Sequence, residues 1–151
     1  MHKKTLAAVG RTLVTGALVL GSTGSAWAAS APEYLLVNKS SEVLIEDATV
    51  KAVFGEIVSA KMARLYPTNK WGFGVQVEGG ITQANACVVT ARVMLLQRNL
   101  PVTTRLLLFK PERMATTFDA LPSASAAQCR DLAKAKLREA SQALKSALTP
   151  E

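Results

Sequence analysis

Histidine is almost absent from this chain. Among its 151 residues only His2 carries an imidazole, and cysteine occurs only twice, at Cys87 and Cys129. Catalytic triads of the Ser-His-Asp and Cys-His types depend on an imidazole base. Zinc and iron sites built on histidine need imidazole ligands, and two cysteines so far apart in the sequence do not make a metal site. The composition therefore predicts no histidine-dependent catalysis, no metal site and no cofactor.

Phosphate-binding glycine loops are absent as well. The sequence has no G-x-x-x-x-G-K-[ST] motif, and residues 72–74 match only the opening of G-x-G-x-x-G, with Val77 in the place of the third glycine. Carboxylate pairs remain as a catalytic chemistry, and a glycosidase-like site needs two carboxylates at a defined separation. Nothing in the sequence places two of them together, so we expect solvated acidic side chains. The candidates are Glu46, Asp47, Glu56, Glu78 and Asp119.

The N-terminus has the layout of a secretory signal peptide. Lys3 and Lys4 form a basic start, residues 12–20 form a short apolar run, and Ala26-Trp27-Ala28 fits an A-x-A cleavage site. The apolar run is shorter than the roughly 20 residues that a membrane-spanning helix needs, so a membrane anchor is the weaker interpretation. We therefore predict that residues 1–28 are removed, and that the mature protein is periplasmic or secreted and has no membrane span.

The mature chain, residues 29–151, has the size of a single small domain. Cleavage removes three of the 18 basic residues and none of the 11 acidic ones, so the net charge falls from +7 to +4. It also removes the only histidine. A charge of +4 is modest for a nucleic-acid-binding protein, and export separates the chain from such partners. We therefore do not expect a nucleic-acid ligand.

Two apolar patterns later in the chain predict one and the same tertiary contact. Residues 86–97 alternate with a period of two, which indicates a strand with one buried face, and Cys87 lies on that face. Residues 125–128 have the capping-box form S-x-x-Q, and the helix that follows, to about Leu148, carries an apolar stripe beginning at Cys129. Such a pair in an exported protein favours a disulfide. We predict a bond between Cys87 and Cys129, with free thiols or a bridge between chains as alternatives.

The first third of the mature chain predicts one edge segment and one helix. Residues 34–37 are interpreted as a short edge strand or as a segment lying against the core. A helical stripe with acidic residues in its early turns predicts a helix over residues 47–64. A strand over residues 43–54 is the rival interpretation, because β-branched residues are dense there.

The middle of the chain predicts an antiparallel meander. Strands are expected at residues 71–78, 86–97 and 102–110, with a turn at Gly79-Gly80. Residues 113–122 are expected to be irregular, with a short strand at residues 114–118 as the alternative. The predicted fold class is therefore α+β. It consists of an N-terminal helix, a meander of about three strands, and a long C-terminal helix that packs on the sheet and is tied to it by the disulfide.

Basic side chains mark the polar side of the last helix. Arg130, Lys134 and Arg138 follow one another at four-residue spacing, where like charges mildly disfavour a helix. The plain interpretation is a solvated face, and the functional one is a docking surface for an acidic protein or an anionic glycan. An aromatic cluster of Trp71, Phe73 and Tyr66 belongs either to the core and its rim or to a recognition patch.

The leading hypothesis is an exported, non-catalytic protein that binds another protein, for example an inhibitor or immunity protein of the cell envelope. Its candidate binding residues are Arg130, Lys134, Arg138 and Trp71. One alternative is a structural or assembly component of the cell envelope or surface. Another is a carboxylate-dependent hydrolase of envelope polymers.

Overall fold

The computed structural model describes residues 32–98 and 111–150. The elements of this part of the chain are, in order, β1 (Leu36–Asn38), α1 (Asp47–Gly55), α2 (Ala60–Leu65), β2 (Trp71–Ile81), β3 (Cys87–Gln97), β4 (Pro111–Leu121) and α3 (Ala126–Leu148). The predicted signal peptide and the predicted strand at residues 102–110 lie outside the described residues.

The described residues form an α+β fold, as the sequence predicts. One sheet has the strand order β1-β2-β3-β4. The strand β1 runs parallel to β2, whereas the pairs β2–β3 and β3–β4 are antiparallel. The helix α3 packs on one face of β3 and β4, with α1 beside it. The sheet thus contains the expected meander. It also contains the short edge strand β1, which overlaps residues 34–37, for which an edge strand was one of two predictions.

The central strand and the last helix meet as predicted. On β3 the odd-numbered residues from Cys87 to Leu95 are at most 1% exposed, and the buried side chains of α3 pack against them. Cys87 and Cys129 are joined by a disulfide with their Cα atoms 5.5 Å apart. The helix begins with the predicted capping box, in which Ser125 Oγ accepts from the Gln128 N–H (3.3 Å) and Gln128 Oε1 accepts from the Ser125 N–H (2.8 Å).

The single helix expected over residues 47–64 is in fact two helices, α1 and α2. The break falls where Ile57 and Val58, adjacent in sequence, are both buried. There the Ile57 N–H donates to the Phe54 carbonyl at 3.0 Å, a bond to the third residue back that tightens the end of α1. Ser59 then caps α2 by accepting from the Met62 N–H at 3.2 Å. The helical interpretation of residues 47–54 is correct, and the rival strand over 43–54 is wrong.

The expected turn at Gly79-Gly80 is also wrong, because β2 continues through it to Ile81. Gly79 has a φ of +128°, and a Cβ placed there would lie 1.9 Å from the Val88 carbonyl oxygen. Glycine therefore allows a distorted strand to stay paired. The chain reverses instead after Thr82, where Thr82 N–H donates to the Ala86 carbonyl at 2.8 Å.

Residues 113–122, expected to be irregular or to hold a short strand at residues 114–118, mostly belong to the 11-residue strand β4 (Pro111–Leu121). Pro111, expected to follow the end of a strand at residues 102–110, is instead the first residue of β4. Proline is tolerated at the start of an edge strand, and β4 lies at the edge of the described sheet. Pro111 pairs with Leu96 next to a bulge at Leu95/Leu96.

Candidate functional site

A shallow cleft between α3 and the start of α1 contains two of the predicted binding residues. Arg130 and Lys134 line it on the α3 side, opposite Glu46. Its volume is about 240 Å³, which is below the roughly 300–1,000 Å³ typical of small-molecule pockets. The cleft is therefore a depression in the surface, and its volume is small for a site that encloses a small molecule.

The floor of this cleft is apolar and fixed by local hydrogen bonds. Leu44 and Ile45 line it, each only 3% exposed. Their N–H groups both donate to the Ser41 carbonyl at 3.0 Å, which holds the turn before α1. On the other side, Arg130 follows Cys129, whose disulfide ties the start of α3 to β3. The two walls of the cleft are thus anchored separately to the core.

The third member of the basic row has a partner within the chain. Arg138 Nη2 donates to Glu56 Oε2 at 3.1 Å, across from α3 to the residue that follows α1. Both side chains are substantially exposed, at 40% and 59%, so this ion pair contributes little to stability. It nevertheless offsets the charge of Arg138. The exposed cations of the row are therefore Arg130 and Lys134, and Arg138 links the two helices.

Trp71 lies near the C-terminal end of α3, whereas Arg130 lies near its start. Its ring meets Tyr66 edge-on, with centroids 5.7 Å apart, and the Tyr66 hydroxyl donates to the Leu148 carbonyl at 3.3 Å. Leu148 and Arg130 are 18 positions apart on α3, which is about 27 Å along a helix at 1.5 Å per residue. The predicted binding residues therefore do not form one site.

The acidic side chains considered for catalysis are mostly engaged with neighbours. Hydrogen bonding to Lys51 (2.6 Å) and to Asn38 (3.0 Å) holds the pKa of Asp47 below its ordinary value. The N–H of Ala120 (2.8 Å), and then Lys136 (3.2 Å), do the same for Asp119. A general acid near neutral pH needs the opposite shift. In residues 32–98 and 111–150, no group of three acidic, cysteine or histidine side chains is placed to hold a metal.

The open face of the sheet, opposite α3, was not predicted from the sequence. Met114 and Phe118 of β4 are 55% and 64% exposed there, and the register places Met94 beside Met114. The signal was the alternation of residues 113–119, in which larger apolar side chains fall on even positions. It was weak because Ala115 and Thr117, on the covered face, are small. The exposed apolar surface therefore appeared only once β4 was placed.

Comparison of the chain with protein-family models, with curated proteins and with solved structures finds no match. None of the helices in the described ranges combines the length and hydrophobicity that crossing a bilayer requires. The disulfide is compatible with an oxidising compartment such as the periplasm or the cell exterior.

Proposed function

We propose that the chain is exported, loses residues 1–28, and acts in the periplasm or outside the cell as a non-catalytic protein that binds another, acidic protein. An inhibitor or immunity protein of the cell envelope is the concrete form. The proposal of export rests on the N-terminal order of a basic start, a short apolar run and an A-x-A site, and on the disulfide, which is compatible with an oxidising compartment.

The observation that carries the binding proposal is the cleft with Arg130 and Lys134 at its rim. Both cations are exposed, and the floor beside them is apolar. A carboxylate-bearing segment of a partner would find two cations and an apolar contact in one place. Because α3 is fixed by the disulfide near Arg130, little conformational entropy is lost when a partner docks.

Charge at this rim acts mainly on the rate of association. An acidic partner is attracted over about 8 Å at physiological salt, and rim charges chiefly change the association rate constant and its salt dependence. Glu46 and Asp131 also line the cleft. They oppose an acidic partner, so we expect recognition of a segment with apolar and acidic side chains together in preference to a purely anionic polymer.

The test reverses the rim charges. The variant Arg130→Glu/Lys134→Glu is compared with Lys61→Glu/Lys70→Glu, which changes the net charge equally at exposed positions away from the cleft. A partner is first isolated from envelope extract with the unmodified protein, and association rates are then measured at low and high salt. We expect the association rate constant of the rim variant to fall about tenfold or more at low salt, and that of the control variant to change much less.

Two outcomes would overturn this placement of the site. Equal slowing in both variants would show that net charge alone matters. Unchanged association in the rim variant would leave Arg130 and Lys134 as a solvated face. An anionic glycan bound more tightly than any protein, and lost with the rim variant, would replace the protein partner as the ligand.

Export has a separate test. The intact mass of the protein recovered from the periplasm or medium should correspond to a chain that begins at Ala29, after the Ala26-Trp27-Ala28 site. Recovery of the uncleaved chain in the cytoplasm would contradict export without bearing on the cleft.

A further inference from the structure

Among the described residues, nothing pairs with the outer edge of the long strand β4. It has 11 residues and lies at one end of the strand order, whereas β1 at the other end has only three residues. Natural sheets avoid long unprotected edges, because their free N–H and C=O groups bind other strands. The β4 edge therefore raises the question of which strand it binds.

The backbone groups at this edge follow from the hydrogen bonds of the other edge. Lys39 N–H donates to the Val75 carbonyl and Phe73 N–H to the Leu35 carbonyl, so odd-numbered residues of β2 face β1. The even-numbered residues of β2 therefore face β3, where they pair with even-numbered residues, so the N–H and C=O groups of even-numbered β3 residues point towards β2. The odd-numbered residues of β3 face β4 and pair with odd-numbered residues there, so the N–H and C=O groups of odd-numbered β4 residues point towards β3. Even-numbered residues of β4 thus present their N–H and C=O groups at the free edge.

One side-chain contact supports this assignment independently. The N–H of Ala120, an even-numbered residue, donates to the carboxylate of Asp119 instead of to β3. The free edge is therefore closed at Ala120 and open over the residues before it. Its centre is Thr116, with Met114 and Phe118 on either side.

The sequence of β4 is complementary to itself when it is reversed about Thr116. A second copy laid antiparallel with Thr116 opposite Thr116 places Met114 opposite Phe118, and Arg113 opposite Asp119. Met114 and Phe118 are the exposed apolar side chains of the open face. Arg113 and Asp119 lie on the other face of the strand and carry opposite charges. Cross-strand apolar pairs and opposite charges both stabilise a sheet.

Neighbouring symmetric registers lose this complementarity. Centring the pair on Ala115 places Arg113 opposite Thr117, and centring it on Thr117 places Arg113 opposite Leu121. Like its two neighbours, the register about Thr116 sets even-numbered residues opposite even-numbered ones, so side-chain complementarity is what distinguishes it. The outward N–H and C=O groups of the even-numbered residues can then form the ladder of an antiparallel pair.

We propose that two copies of the chain pair through their β4 edges, antiparallel and two-fold symmetric about Thr116, so that the four described strands of each copy join in one continuous sheet. A two-fold interface of this kind uses the same surface on both copies and closes on itself. The edges left at the ends of the sheet are the three-residue β1 strands. Pairing therefore stops at a dimer and does not continue into a filament. This inference is independent of the cleft on α3.

The first test uses charge reversal and mixing. Arg113→Asp places two carboxylates opposite each other twice per dimer, and Asp119→Arg places two cations opposite each other twice. Each variant alone should raise the dimer dissociation constant about tenfold or more, because like charges opposite each other destabilise a sheet. An equimolar mixture of the two restores both pairs of opposite charge, so sedimentation should show a heterodimer. Unfolding curves check that each variant remains folded, since Asp119 also binds Lys136.

The second test measures the register. Thr116→Cys brings two new thiols to the two-fold axis, about 5.5 Å apart between Cα atoms in a hydrogen-bonded pair. Ala120→Cys, its control, is paired with Glu112, so its two thiols are eight positions apart, about 27 Å along a strand. A short bifunctional thiol reagent should link the first variant into dimers and leave the second monomeric.

The outcomes decide the proposal. Dimers that are lost in each charge variant and restored by mixing, with linking at position 116 alone, support it. A protein that stays monomeric at high concentration overturns it. Dimers that ignore both charge variants, or that link at position 120 as readily as at 116, overturn the β4 pairing as their basis.

Discussion

The two faces of the sheet use the same strands for different ends. On the covered face, odd-numbered side chains such as Phe73, Val93 and Leu95 are at most 1% exposed beneath the helices. On the open face, Phe118 is 64% exposed and Met114 55%. Both faces carry large apolar residues, so hydrophobicity alone does not separate them. What separates them is whether α3 and α1 supply a partner.

The open face is nevertheless organised close to β1. Gly72 and Gly74 carry no side chain there, and Leu35 and Leu96 occupy the space above them. A Cβ on Gly72 would lie 3.2 Å from Leu35 Cδ2, and one on Gly74 would lie 3.0 Å from Leu96 Cδ1. This half of the open face covers itself, whereas the half near β4 stays exposed. On the open face, the most exposed large apolar side chains therefore lie on β4, at Met114 and Phe118.

The sharpest test of this comparison replaces one phenylalanine on each face. Phe73→Ala should lower the free energy of unfolding by about 3–5 kcal/mol, because it removes a buried ring and leaves a cavity. Phe73 packs against Phe54 with ring centroids 5.2 Å apart. Phe118→Ala should change the free energy by about 0.5 kcal/mol or less, as for an ordinary surface substitution.

Both variants are measured by urea denaturation at a concentration low enough to keep the chain monomeric. Phe118→Ala at high concentration should in addition weaken the dimer, which Phe73→Ala would do only through the fold. Similar losses of monomer stability in the two variants would show that the open face is as much a part of the core as the covered one.

The disulfide gives the next largest effect, because it fastens α3 to the covered face at one end. Replacing Cys87 and Cys129 together with alanine should lower the free energy of unfolding by about 2–5 kcal/mol, chiefly because the unfolded chain gains conformational entropy without the crosslink. The measurement is denaturation of the variant beside the oxidised parent. A second comparison, the parent with and without reductant, separates the loss of the bond from the loss of two buried sulfur atoms. A parent whose stability does not respond to reduction would contradict the prediction.

Strong periodicity and capping chemistry made part of this fold predictable. The alternation of residues 86–97 and the stripe that begins at Cys129 each identified a buried face, and together they identified the contact between β3 and α3. The Ser125–Gln128 capping box fixed the start of the last helix. These features succeed because the local preference and the tertiary environment favour the same structure.

The features that were missed depend on tertiary context. The local sequence at Gly79 is typical of a turn, yet Gly79 lies within a strand, where the close approach of the Val88 carbonyl leaves no room for a Cβ. Pro111 reads as a strand end, yet proline is tolerated as the first residue of a strand and beside a bulge such as the one at Leu95/Leu96. For the site, spacing on α3 grouped Arg138 with Arg130 and Lys134. It could not show that Glu56, 82 positions away, would bind Arg138.

Acid should produce the smallest effect, and it separates the two regions by mechanism. The covered face is held by apolar burial, and the buried residues of the core cluster include no carboxylate, imidazole or amine. The ionic contacts lie around it: the N–H of Ala120 and then Lys136 hold the pKa of Asp119 below its ordinary value near 3.8. Bonding to Glu139 and then to Asp119 raises the pKa of Lys136.

The lowered pKa of Asp119 fixes the direction of the pH dependence. Between the ordinary value and the lowered one, the unfolded chain binds more protons than the folded chain. The stabilisation is therefore fully present above about pH 4 and is lost as the pH falls through the folded-state pKa. Asp119→Asn should flatten this acid limb slightly, whereas Asp131→Asn, which removes a carboxylate on the cleft side of α3, serves as the matched control. Urea midpoints measured from pH 6 to pH 3 provide the comparison, and salt should weaken the difference because the pair is partly exposed. If both variants followed the parent over the whole range, the Lys136 contact would have no part in stability. Asp119 could then form an ion pair with Arg113 of a second copy without lowering the stability of the monomer.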